Sequence, residues 1–157
     1  MSLEKTIIIQ TTEGHEYRIG FSKFDHLVVP ESITKVLVEI VIAIDDNKGL
    51  NNAKTLFTFS RHIKDYLIEK DVILYCYCDN KEIERGERNK QLAPQEFRSL
   101  LFKKMFDRAL SIDADFINKP IILTDKNLDK HYIHLFSRSE NIEELEILGL
   151  KLDEFNK

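Results

Sequence analysis

Two short runs near the start of the chain, "TIIIQTT" and "EYRIGFS", are rich in β-branched and aromatic residues and are separated only by "EGH". They predict a β-hairpin. The next run, "TKVLVEIVIAIDD", predicts a long strand. Val36, Val38, Ile40, Ile42 and Ile44 share one face, and Leu37, Glu39, Val41 and Ala43 share the other. β-Branched residues at period two favour strand over helix. After the turn "NKGLNN", the segment "AKTLFTFSRHIKDYLIEK" places Leu56, Phe59, Ile63 and Leu67 at helical spacing, with Ser60, Arg61 and His62 on the helix surface. "DVILYCYC" is apolar on both faces, as expected of a central strand covered from both sides. A charged loop, "DNKEIERGERNKQL", leads to Pro94, which suits the first position of a second helix, "PQEFRSLLFKKMFDRAL". "KPIILTD" and "KHYIHLFSR" flank "KNLD" as a closing hairpin, and "NIEELEILGLKLDEF" inclines to a helix. The order is β-β-β-α-β-α-β-β. The fold class is α+β, with a mixed, mostly antiparallel sheet.

The 157 residues fit a single domain over 1–157, long enough to bury a core without staples. Met1 to Leu3 have the look of a cloning scar. No apolar run approaches the roughly 20 residues of a membrane span, and no leader pattern opens the chain. Two cysteines do not make a disulfide framework. A cytoplasmic protein with reduced thiols is expected, with no membrane partner. The net charge of −4 argues against nucleic acid. The charge is uneven: the tail 139–157 carries six acids against two lysines, while 81–108 carries eight bases against five acids.

The run "YCYCD", the arginine-containing loop after it and "PQEFRSLLFKKMFDRA" together resemble a domain family of Bacteroidetes-type bacteria to which no function is assigned. The likeness covers roughly residues 55–110. The predicted topology is also similar to the last two thirds of the acyl-CoA N-acyltransferase fold. That resemblance implies a cofactor pyrophosphate at the N-terminus of the helix after the long strand, where free N–H groups and the helix dipole attract anions. The matching stretch here is "DDNKGLNNAKTL". Gly49 is its only glycine, and Asp45 and Asp46 carry the wrong charge for that role.

Cys76 and Cys78 share a strand face and are expected to pack in the core. His131 and His134, three apart on a strand, point to opposite faces, so no metal site is assigned. His134 shares its face with Tyr132 and Phe136 and is expected to be a hydrogen-bonded packing residue. There is no G-x-S-x-G, P-loop or G-x-G-x-x-G pattern. Asp79 stands at the carboxyl end of the central strand, an edge where binding sites gather. Arg85, Arg88 and Arg98 follow it, and Arg98 and Arg108 fall in the apolar sector of their helix. Three arrangements remain open. One is an Asp79–Arg98 ion pair, in which loss of one buried partner costs about 3–5 kcal/mol. Another is an anion-binding cluster of Arg85, Arg88 and Arg98, since guanidinium groups fit phosphate or carboxylate. The third is surface snorkelling, with the apolar stem packed and the charged head in water.

The sequence leads to a bacterial cytoplasmic interaction or regulatory module, with a protein partner met through the 94–110 helix. The alternative is a CoA- or nucleotide-type anion binder, a degenerate N-acyltransferase. No resident cofactor is called for, and the sequence does not decide whether the protein is an enzyme.

Overall fold

A computed structural model describes residues 4–10, 16–24, 29–44, 53–78, 89–110 and 115–155. Six strands form one sheet: β1 (Lys5–Gln10), β2 (Glu16–Lys23), β3 (Leu37–Ile44), β4 (Ile73–Cys78), β5 (Phe116–Thr124) and β6 (Lys130–Arg138). Their spatial order is β1-β2-β3-β4-β6-β5. All neighbouring pairs are antiparallel except β3 and β4, which run parallel and are joined by helix α1 (Ala53–Glu69). A parallel pair requires such a crossover. Helix α2 (Pro94–Leu110) links β4 to β5, and helix α3 (Ile142–Phe155) follows β6. The α+β class and the mixed, mostly antiparallel sheet are thus as the residue pattern predicts, and the acidic tail is helical from Ile142.

Alternation decides which residues enter the core. On one face, Tyr17, Ile19 and Phe21 of β2 join Val38 and Ile40 of β3, Leu74 and Cys76 of β4 and Phe136 of β6. Helices α1 and α2 cover this face with Phe59, Ile63, Tyr66, Leu67, Met105 and Phe106. Aromatic rings set the contacts: Tyr66 stacks on Phe21 at 4.0 Å, and Phe106 stacks on Phe136. Ser60, expected on the helix surface, is buried. Its hydroxyl donates to the Phe57 carbonyl at 2.8 Å, so the helix itself satisfies the polar atom.

The opposite face carries a smaller core of Leu37, Ile73, Leu123, Ile133 and Leu135, covered by Leu145, Leu148 and Leu152 of α3. Gly149 lets α3 come close to β5, since a Cβ there would stand 3.1 Å from the Lys119 side chain. This cover does not extend over β1, β2 and the far end of β3. Ile8 and Val41 point outward there with 57% and 51% of their surface exposed.

A polar node anchors α3. The Ser137 hydroxyl donates to the Val72 carbonyl at 2.7 Å. The Asn141 amide donates to the Ser137 hydroxyl at 2.8 Å and to Asp71 at 2.9 Å. Asp71 also accepts from the Lys35 ammonium at 2.6 Å. In the first turn of α3, the Glu144 carboxylate accepts from the Thr34 N–H and hydroxyl and from the Lys35 N–H. Arg138 donates to the carbonyls of Leu67 and Ile68 at the end of α1, where a cation suits the dipole.

The Lys35 ammonium and the Asn141 amide hold the Asp71 carboxyl below its usual range, and hydrogen bonding to Asp71 holds Lys35 above its own. A lowered carboxyl stabilises the fold above its unfolded value and loses that effect as pH falls through the folded one. A raised ammonium loses its effect as pH rises through the folded value. Asp71→Asn should therefore flatten the pH dependence of urea unfolding below about pH 4 and above about pH 10. Unchanged limbs would mean that the node carries no charge effect.

Candidate functional site

Strand β4 belongs to two ladders, and they differ in extent. Its register with β3 runs only from Leu37↔Ile73 to Glu39↔Tyr75. β3 then continues to Ile44 against β2, and β4 continues to Cys78 against β6. The two parallel strands therefore part at their carboxyl ends. Val41 and Tyr77 flank the split on the α3 side, both exposed, at 51% and 42%. Ile40 and Cys76 lie on the α1/α2 side. Both α1 and α2 begin beyond this same end, and the first turn of α1 contains no acid. Carboxyl ends of diverging parallel strands are where sheets with crossovers place ligands.

A polar cluster lies beside the split, beneath α2. Cys76 and Cys78 are buried on one strand face, as expected, and neither is in a disulfide. Cys76 is directly opposite His134 in the β4–β6 register. The His134 side chain is fully buried and points away from His131. Its Nδ1 lies 3.1 Å from Asn118 Oδ1 on β5, and its Nε2 lies 2.9 Å from Ser99 Oγ on α2. An amide oxygen only accepts, so Nδ1 carries the proton, and Nε2 accepts from the Ser99 hydroxyl. Close by, the Tyr132 hydroxyl donates to Glu96 at 3.2 Å. The Cys78 thiol is pulled well below its ordinary value, first by a hydrogen bond from the Cys76 thiol, then by His134 and the Arg98 charge, against the opposing effect of burial.

On the other face, Tyr77 and His131 meet at 2.7 Å, and His131 Nε2 lies 2.9 Å from Asp125. Asp125 also accepts from the N–H groups of Asn127 and Asp129, which shapes the β5–β6 turn. The His131 hydrogen bond, with those two, keeps the Asp125 carboxyl below its usual range.

Of the residues singled out from sequence, Asp45, Asp46, Gly49, Asp79, Arg85 and Arg88 lie outside the described residues, as does the Arg108 side chain. The Asp79–Arg98 pair and the three-arginine cluster therefore rest on Arg98 alone. Arg98 is half-buried on α2, so the large penalty for a fully buried charge does not apply to it. The partner surface expected on the 94–110 helix has no exposed large apolar side chain among its described residues. Phe97, Met105 and Phe106 are buried, and Leu100, Leu101 and Phe102 are half-buried.

No family model, curated relative or solved structure matches the chain.

Ser99 and Asn118 were not singled out from sequence. The available signal was a polar residue on an otherwise apolar face: Ser99 with Phe102 and Phe106, and Asn118 on the same face as Phe116. Among the described residues no group of three or more His, Cys, Asp or Glu side chains is arranged to hold a metal ion.

A thiol with a lowered folded value stabilises the protein above its unfolded value of about 8.5 and loses that effect as pH falls through the folded one. The stability gap between the wild type and Cys78→Ala should therefore widen from slightly acid pH to about pH 9. A gap that stays constant with pH would reduce Cys78 to simple packing.

Proposed function

We propose that the protein binds an anionic ligand of the CoA or nucleotide type at the split between β3 and β4, as a divergent relative of the N-acyltransferase fold. The single observation behind this is the parting of two parallel strands after only three register pairs. Val41 and Tyr77, both exposed, flank the opening on the α3 side. The half-buried Arg98 adds positive charge on the α2 side. Bacterial origin and a cytoplasmic setting belong to this reading, and no helix among the described residues is long and apolar enough to cross a membrane.

Thermal melting against CoA, ATP and inorganic phosphate tests it. A ligand at a hundred times its dissociation constant adds about 2.7 kcal/mol to a folded state that alone binds it. CoA or ATP should raise the melting temperature, and Val41→Glu should abolish the rise with little effect on the unliganded protein, since Val41 is exposed. A flat panel, or a rise that survives in Val41→Glu, overturns the assignment.

A second reading, an interaction module, is favoured by a different edge of the sheet. Edge strand β5 contains Pro120, which interrupts strand addition. Edge strand β1 is "KTIIIQ", without proline, and beside it lies the uncovered face bearing Ile8 and Val41. Such an edge takes an extended segment of a partner protein as a further strand. Peptides selected from a random ten-residue library should protect β1 amides from hydrogen exchange and bind at least about tenfold more weakly to Ile8→Lys, a loss of about 1.4 kcal/mol. Protection mapped elsewhere rules out this edge.

A further inference from the structure

We propose that Ser99, His134 and Asn118 form a nucleophile, base and orienting group that act on small acyl esters. The inference is independent of the anion-binding reading and rests on two distances. Ser99 Oγ lies 2.9 Å from His134 Nε2, and His134 Nδ1 lies 3.1 Å from Asn118 Oδ1. The amide oxygen fixes the imidazole tautomer so that Nε2 offers its lone pair to the serine proton. A nucleophile, a base and a third group orienting the base are recognised by such geometry, whatever their order in the chain. The three residues come from α2, β6 and β5, so regular elements rather than loops hold them. The base is fully buried, while Ser99 remains half-buried and so keeps contact with solvent. Aromatic rings enclose the imidazole, with Phe102 and Phe136 each 5.8 Å away centre to centre. The Cys76 and Cys78 thiols border the same imidazole, so His134 sits among polar groups as well as rings, and a buried imidazole at position 134 needs partners that an apolar side chain would not.

The chemistry balances without a cofactor. Ser99 Oγ attacks the ester carbonyl carbon as its proton moves to His134 Nε2. The carbon–oxygen bond to the alcohol then breaks, and the departing alkoxide takes that proton. Water attacks the acyl-serine, gives its proton to Nε2, and the proton returns to Ser99 Oγ as the acid leaves. Asn118 is a positioning residue throughout, holding the Nδ1 proton.

The test uses the full chain, a fluorophosphonate probe and p-nitrophenyl acetate. The probe should modify Ser99, located by mass spectrometry, and Ser99→Ala should lose both labelling and at least a hundredfold of ester hydrolysis, within the range for general acid–base catalysis. Asn118→Ala should slow labelling at an unchanged melting temperature or a modestly lowered one, and Asn118→Asp, which keeps the acceptor, should restore it. His134→Gln is compared only if it melts cooperatively. Absence of label on Ser99, label on Cys78 instead, or labelling indifferent to both Asn118 variants would overturn the proposal.

Discussion

The hydrogen bond from the buried Ser137 hydroxyl to the Val72 carbonyl, extended through Asn141 to Asp71, holds the second layer of the molecule in place. β4 and β6 are apolar on both faces: Leu135 and Phe136 are adjacent and both fully buried. A helix pair on one side leaves half of that surface in water. The chain resolves this by turning sharply after β6 and laying α3 across the other face. The turn is possible because Ser137 and Asn141 satisfy buried polar atoms there, which would otherwise cost about 1–3 kcal/mol each. Glu144 and Lys35 then secure the start of α3 to the segment leading into β3.

The cover stops where the apolar pattern stops. On the α3 side, Leu37 is buried and Glu39 half-buried, while Val41 is exposed. Along β4 the same change runs from Ile73, buried, to Tyr77, exposed. Both strands lose their cover at the level where their mutual ladder ends. The split and the bare face are therefore two aspects of one geometry, and the buried thiols and His134 sit immediately behind it.

Local pattern was enough for the elements and not for the cluster. Strand alternation in "LVEIVIAI" and helical spacing of Phe59, Ile63 and Leu67 depend on neighbours in sequence, so they were legible. The opposed directions of His131 and His134 followed from the same period of two. Ser99, Asn118 and His134 are 16 to 35 residues apart. Asn118 and His134 meet within the β5–β6 hairpin, but Ser99 reaches them only because α2 packs on β6, and no spacing rule encodes that packing. A helical wheel puts Arg98 in the apolar sector of α2; the residue is half-buried there, and its charge acts on the Cys78 thiol, a tertiary effect that the wheel does not contain.

The three-pair ladder between β3 and β4 also divides the sheet mechanically. On one side stand β1, β2 and β3; on the other stand β4, β6 and β5 with α3. Few backbone bonds cross the seam, while α1 and α2 pack together above it. Flexing is easiest where the fewest bonds must stretch. Side chains answer that weakness by riveting the seam from both faces: Phe24 stacks on Tyr75, Glu144 of α3 holds Thr34 and Lys35, and one apolar core runs beneath β2, β3, β4 and β6.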